Sequence, residues 1–475
     1  MKKNIYFLMT VSAIVLGANA GNYITSGDGK TYTFAELATK ADTPVAKVGS
    51  HSFYLKDTLT VANGDKLELD EFLDTVFLGN NALIDIQGQA DFQAKHGRVV
   101  FTRYNAEDKP LSIIVRDDTK RTVWKNVDVE YVGVRCASPK GFDIDSCSFC
   151  YHNGENGIRN ALALNDQEAS LTVRNSLFAY NSQAAIGGAA NYCNNVTIEG
   201  CIFRHNVLSN KNMPQINLTV ADSIIVRHNT IIGDSTKNYS GGLGVSNLMG
   251  FTGDLNTIIE DNQIDSCRHG LTLTGPQNSI VCNNNIRHNR FETNANNGGS
   301  GISLYDPYYR STCKITGNLI EDNLWGMTII GGGDINLGKI KVNGEQLTEQ
   351  SIEYNPGENT FINNGNNGIK YDLYNNGTST VYAQGNTWNV SVQDSSHIEE
   401  VVTHKADNES LGLVIFTPSH QELVDKIQPA FTNNNGKAEP RIYTLDGKQI
   451  NNSATALPHG IYIIKDNKGT HKTRR

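Results

Sequence analysis

Proline is scarce, at 11 of 475 residues, and no run beyond residue 20 reaches the ~18 consecutive apolar residues that a membrane-spanning helix requires. Basic residues are outnumbered, 41 Lys and Arg against 49 Asp and Glu, giving a net charge of -8. That balance leaves no basic stripe of the kind nucleic acid requires, so DNA and RNA are excluded as partners. Charged residues make up 19% and hydrophobic residues 38%, which excludes a membrane bundle and a disordered tail alike.

What is abundant is asparagine, roughly a tenth of the chain, with 44 glycines beside it. Asparagine favours turns and left-handed backbone over helix interiors, so many short turns are expected. The first twenty residues read as a secretory leader. Lys2 and Lys3 precede the mostly apolar stretch Ile5 to Leu16, and Ala18-Asn19-Ala20 supplies a small-x-small cleavage site before Gly21. The mature protein is therefore expected to be secreted or held at the outer cell surface.

One phrase recurs: an aliphatic residue, two variable positions, then Asn, Ser or Cys, one more, then Phe or Ile. It reads Ile144-x-x-Cys147-x-Phe149, Val173-x-x-Ser176-x-Phe178, Ile198-x-x-Cys201-x-Phe203, Val226-x-x-Asn229-x-Ile231 and Ile259-x-x-Asn262-x-Ile264. It continues as Val281-x-x-Asn284-x-Ile286, Ile315-x-x-Asn318-x-Ile320, Pro356-x-x-Asn359-x-Phe361 and Ala383-x-x-Asn386-x-Trp388, with an earlier variant at Trp124-x-x-Val127-x-Val129. Three residues past the Phe or Ile stands a small polar residue: Asn181, Asn206, Asp234, Asn289, Asn323 or Asn364. After a variable loop come Gly and an alternating strand, as in Gly270-Leu271-Thr272-Leu273, Gly301-Ile302-Ser303-Leu304, Gly326-Met327-Thr328-Ile329 and Gly368-Ile369-Lys370-Tyr371.

Each period thus holds three short strands, which cannot bury a face alone and must stack on the next period. Equivalent strands then form parallel sheets around a column of Ile, Val, Leu and Phe, and each turn Asn falls beneath the next. The pattern resembles the right-handed parallel β-helix of the pectate-lyase-like superfamily, with its asparagine ladder. The Leu-x-x-Leu-x-Leu phrase of leucine-rich repeats is missing.

The expected organisation is a leader over 1–20, an N-terminal cap over 21–44, a three-sheet β-helix over 45–417, a linker over 418–436 and a small β tail over 437–475. Phe34, Leu37 and Ala38 predict a short helix within Tyr32 to Lys40, and a second is expected over Ile398 to Val402, before a strand over Leu411 to Phe416. In the tail, Arg441 to Ile450 and Leu457 to Ile464 read as strands around turns. They resemble the type IX secretion sorting domain of Bacteroidetes, in a shortened form ending Thr473-Arg474-Arg475.

Eight cysteines in an exported chain invite a disulfide framework. The register argues against pairing Cys147 with Cys201, because two coils separate their Cα atoms by ~9 to 10 Å, beyond the ~7 Å limit. Both read as small buried replacements for a ladder Asn. Cys147-x-x-Cys150 has zinc-knuckle spacing but no second ligand pair, so no zinc is expected.

In enzymes that this fold resembles, substrate lies along the sheet built from the Gly-x-strand segments. Alternation makes Thr272, Thr274, Ser303, Tyr305, Thr328, Ile330, Lys370 and Asp372 outward-facing there, with Asn217, Thr219, Gly244 and Ser246 in earlier coils. The loop Tyr305-Asp306-Pro307-Tyr308-Tyr309-Arg310 overhangs that face, and tyrosines beside Arg and Asp suit saccharide binding. Tyr305, Asp306, Tyr308, Tyr309 and Arg310 are therefore the candidate substrate-binding set.

Hydrolysis needs two carboxylates roughly 5 to 9.5 Å apart, and calcium needs several converging acidic oxygens. Only Asp306 and Asp372 are acids on the expected face, so neither is visible and no cofactor is assigned. Arg-His pairs recur in the repeat, at Arg204-His205, Arg268-His269 and Arg287-His288, and are solvated loop charges or an anion site. The reading adopted is a monomeric, exported β-helix that binds polysaccharide or surface glycans along one sheet without catalysis. The alternative is a polysaccharide lyase, ahead of a glycoside hydrolase, assembled from Arg268, His269, Arg287, His288 and Lys370.

Overall fold

The computed structural model describes residues 21–427, apart from 156–157, 166–168, 189–193, 220–221, 249–254, 293 and 295–296, and then 441–443, 449–450, 461–466 and 469–474. The leader segment, Cys193 and residues 428–436 of the expected linker lie outside the described residues. The chain divides into two units, Met1–Leu423 and Val424–Arg475.

The first unit is a right-handed parallel β-helix of three long sheets with 14, 13 and 14 strands. One coil shows the plan. Thr122–Lys125 lies in sheet B, Val127–Glu130 in sheet C and Val134–Cys136 in sheet A, after which Phe142–Asp145 returns to sheet B one coil on. Bends this sharp need left-handed backbone. Asn126 (φ 55°) turns the chain between sheets B and C, and Tyr131 (φ 64°) turns it on leaving sheet C. Asn283, Asp261 and Gly200 hold the first bend in later coils, residue types that tolerate this conformation best.

Alternation sends every second side chain inward, and coil register stacks like on like. In sheet C, Val129, Phe149, Phe178, Phe203, Ile231 and Ile264 follow one another in register, all buried. Phe149, Phe178 and Phe203 stack nearly parallel, with centroids 5.0 and 4.9 Å apart. Phe178→Leu should cost about 1 to 3 kcal/mol, from lost volume and two broken ring contacts. Guanidinium unfolding reads it; an unchanged midpoint would contradict the stack.

The expected asparagine ladder runs up the turn between sheets B and C. The Asn229 amide donates to Asn262 Oδ1 (3.0 Å), Asn262 to Asn284 (2.9 Å), Asn284 to Asn318 (3.0 Å), Asn318 to Asn359 (2.9 Å) and Asn359 to Asn386 (2.9 Å). Cys147, Ser176 and Cys201 occupy the same column lower down, where the Ser176 hydroxyl accepts from Cys147 N–H and Asn229 Oδ1 from Cys201 N–H. Both thiols are free, and burial pushes each up to about 12.

A second ladder, not foreseen as one, climbs the opposite corner. Asn181 donates to Asn206 (2.7 Å), Asn206 to Gln215 Oε1 (2.8 Å), Asn289 to Asn323 (2.9 Å) and Asn323 to Asn364 (3.0 Å). Asp234, expected at this position, instead accepts from the backbone N–H and hydroxyl of Thr236, and Cys267 stands in the column, its N–H donating to Asn289 Oδ1.

At the N-terminal end, Thr33 and Glu36 form a capping box around the short helix Phe34–Leu37, inside the expected span, and Phe34 covers Phe53 and Phe101. At the other end the helix sits earlier than expected, at Ser395–Ile398, followed by a 3₁₀ turn at Glu399–Val401. The expected strand over Leu411 to Phe416 shrinks to Val414–Ile415, paired with Val381 and Tyr382. His404 locks this closure, its Nδ1 accepting from Val414 N–H (2.9 Å) and its Nε2 2.8 Å from Glu399 Oε1. The expected linker begins as the helix His420–Ile427.

The second unit contains a four-stranded antiparallel sheet in the order Gln449–Ile450, Arg441–Tyr443, Ile461–Asp466, Gly469–Arg474. Among the described residues no helix is long and apolar enough to cross a membrane.

Candidate functional site

Sheet A presents three outward columns. The central one runs Asn217, Gly244, Thr272, Ser303, Thr328, Tyr374 in backbone register. On one side lie Ser246, Thr274, Tyr305, Ile330 and Asn376. On the other, Pro214 pairs with Gly241, and His269, Ser300, Trp325 and Tyr371 follow where the chain enters successive strands. Small side chains along the centre leave a channel. One part of it is a groove of about 300 Å³, lined among others by Asn212, Pro214, Asn217, Gly244, Ser246, Arg268, His269, Thr272 and Thr274. Gly244 has to be small, since a Cβ there would stand 2.7 Å from Pro214 Cγ.

Arg268 and His269 are the candidates that the structure brings into this groove. The Arg268 guanidinium is pinned by the Asn212 side-chain oxygen and the Asn297 carbonyl, and it lies 5.5 Å from the centre of the Tyr239 ring. The Nδ1 of His269 is hidden from solvent and has no hydrogen-bond partner among the described residues. Burial, aided by the Arg268 charge, lowers its pKa to about 4, so the ring is neutral at ordinary pH. Behind Arg268 lies an acid that sequence reasoning missed. Glu292 is buried, its Oε1 accepts from Asn294 N–H (3.0 Å), and its Oε2 has no partner among the described residues. A Cβ on Gly298 would touch both Arg268 and Glu292, which places the two side chains against one backbone position.

The other candidates lie elsewhere. Arg287 and His288 belong to sheet C and its corner, where Arg287 Nε bonds Asp265 (2.9 Å) and His288 sits 3.2 Å from Asp265 and 3.7 Å from Asp322. His205 likewise faces Asp234 at 3.5 Å. Arg287, His288 and His205 thus face acids one coil away, whereas the Arg204 guanidinium lies 5.8 Å from the centre of the Tyr180 ring. Lys370 is not on sheet A: Gly365–Asn366 and Ile369–Lys370 form a hairpin, and the sheet strand is Leu373–Gly377. The Lys370 ammonium donates to the Asn389 carbonyl (3.2 Å).

Both expected face acids are withdrawn. Asp306 is buried and shapes its own loop, accepting from the N–H groups of Tyr308 (2.9 Å), Arg310 (2.8 Å) and Ser311 (2.7 Å). Burial pushes its pKa up, but these bonds and one with the Ser311 side chain outweigh that and hold it below the usual carboxylate range. Asp372 is fully buried at the end of the second ladder, accepting from Asn364 Nδ2 (3.2 Å) and Asn389 N–H (2.7 Å). Tyr305, Tyr308 and Tyr309 are exposed as expected, and the Arg310 guanidinium lies 5.6 Å from the centre of the Tyr308 ring.

Among the described residues one acid–histidine cluster has metal-like spacing: Glu399, His404 and Asp407 at the C-terminal closure. Its imidazole already accepts from Val414 N–H and meets Glu399, so both ring nitrogens are engaged in closing the coil.

Residues 166–347 match the family described as right handed beta helix region. No curated protein matches the chain. Among solved structures, a double mutant of the periplasmic alginate epimerase AlgG aligns at 13% identity and a TM-score of 0.39, covering 82% of this chain and 84% of that chain. A crystal structure of AlgG itself aligns at 13% identity and 0.34, covering 81% and 83%.

Proposed function

We propose that this protein binds a polysaccharide along the outward face of sheet A, as an exported or cell-surface protein, without cleaving it. The observation that carries the reading is the groove over Gly244 and Thr272. Its lining offers amides, hydroxyls, Arg268 and a neutral His269, a hydrogen-bonding set matched to sugar hydroxyls and to a uronate carboxylate. No Asp or Glu lines it among the described residues, and a hydrolase needs two. Export rests on the leader-like first twenty residues and the sorting-domain-like tail.

One observation favours the alternative of a lyase. A histidine held neutral beside an arginine supplies a proton acceptor and a cation for a carboxylate, the two parts β-elimination needs. One experiment separates the two. The protein is titrated calorimetrically with neutral and uronate-rich polysaccharides, with and without calcium, while the ultraviolet absorbance of unsaturated uronate is followed. Binding without absorbance is the expected result. Absorbance that disappears in His269→Gln would replace the binding reading by the lyase, and no heat from any polysaccharide would remove both.

A further inference from the structure

We infer that sheet A carries a second subsite, walled by aromatic rings around Trp325, which takes a pyranose ring of the same polysaccharide chain; this rests on the glycan reading above. The three outward columns change character toward the C-terminal coils. Over Gly241 and Gly244 both the side and central columns are without side chains, and the groove is open. Two coils further on, the floor is Ser303 and then Thr328, whose hydroxyl lies 3.0 Å from that of Ser300. Trp325 rises on one side of this floor. Tyr305 and Ile330, 39% and 37% exposed, rise on the other. Tyr374 closes the far end in the central column, one coil beyond Thr328.

The closing wall is built rather than incidental. Trp325 packs against Tyr371 with ring centroids 4.1 Å apart and planes tilted by 37°, and stacks against Tyr374 at 5.6 Å, so three rings from two coils form one outward cluster. A hydroxyl-lined floor between apolar walls matches a pyranose, whose ring faces are apolar and whose rim is polar. At ~4.8 Å per coil, the four steps from Gly244 to Tyr374 place this cluster ~19 Å from the start of the Arg268 groove, along one straight track. The ligand that uses both ends is therefore an extended chain, its ring stacked at Trp325 and its polar or acidic group held near Arg268.

Tryptophan emission tests this directly. The chain has 3 tryptophans, and Trp124 and Trp388 are buried in the core, leaving Trp325 as the one at the surface. Cellohexaose, hexagalacturonate and their trimers are titrated against the full chain, by calorimetry and by fluorescence together. A hexamer that binds should shift or quench the emission, and Trp325→Phe should abolish that signal. Trp325→Ala should weaken hexamer binding about tenfold with an unchanged melting temperature. Ser303→Phe, which fills the floor and leaves the wall in place, should weaken it equally. Binding of a hexamer with silent emission and affinities within about twofold of wild type in both variants would overturn the subsite and leave the glycan reading standing. A wild-type protein that binds none of the four saccharides would overturn both.

Discussion

Asn262→Leu should lower the unfolding free energy by about 3 to 6 kcal/mol, because four buried polar groups lose a partner at once. The Asn262 amide donates to the Val226 carbonyl (2.8 Å) and to Asn284 Oδ1 (2.9 Å). Its Oδ1 accepts from the N–H and the side-chain amide of Asn229, both at 3.0 Å. Leucine keeps the branched four-atom skeleton but can return none of these bonds, and the turn is buried. Since each coil rests only on its neighbours, the loss falls on the middle of the stack. Equilibrium denaturation reads it, and a change under about 1 kcal/mol would mean the ladder is decoration on a stack held by apolar burial alone.

Stability should also fall as pH rises from about 4 to 7, through Asp372. Burial pushes its pKa up to about 7, with the Asn389 N–H, the Asn364 amide and the Lys370 charge offsetting only part of the desolvation. A carboxyl whose folded pKa is raised is stabilising in its protonated form. Its contribution is complete below the unfolded value of ~3.9, shrinks as pH rises and is gone above the folded value. At ~1.4 kcal/mol per unit the swing is about 4 kcal/mol. Asp65, Asp306 and Glu199, whose pKa values are lowered, act in the opposite sense and lose stability as pH falls. The difference between wild type and Asp372→Asn removes those contributions. The variant should be the more stable at pH 8 and lose that advantage at pH 4; a difference independent of pH would show that Asp372 is not the titrating group.

The repeat was legible because it is written in side chains that must satisfy one another. An Asn, Ser or Cys recurring at the tight turn, with Phe or Ile two residues on, has few physical readings other than stacked turns and a stacked core. The central column of sheet A followed from alternation, and Thr272, Ser303 and Thr328 stand where it put them. Local likeness misled at Gly368-Ile369-Lys370, which repeats the Gly-apolar-polar phrase but folds as a hairpin ahead of the real strand. The same slip hid Tyr374, whose outward position depends on starting that strand at Leu373.

Charges were the least legible part. Asp265 and Arg287 each follow the Ile that ends consecutive copies of the phrase, so coil stacking sets them side by side across 22 residues, a pairing that shows only when the copies are laid over one another. That contact turns a suggestive Arg-His pair into a neutralised surface network. Glu292 lies in a loop outside the repeated phrase, so no pattern marks it, and only the packing around Gly298 reveals its place behind Arg268. Asp306 and Asp372 were read as outward by position, yet loop closure and ladder termination draw both inside.

The central claim is that sheet A is the glycan face, and a matched pair of tryptophan substitutions tests it most directly. Thr272→Trp fills the floor of the groove, whereas Thr197→Trp adds the same ring to the outward side of sheet B. Both sites are partly exposed on strands, so both variants should fold with melting temperatures near wild type. Calorimetric titration with the best-bound polysaccharide should then show binding abolished by Thr272→Trp and unchanged by Thr197→Trp. Full affinity in Thr272→Trp, or loss in Thr197→Trp alone, would contradict the account and move the site off sheet A.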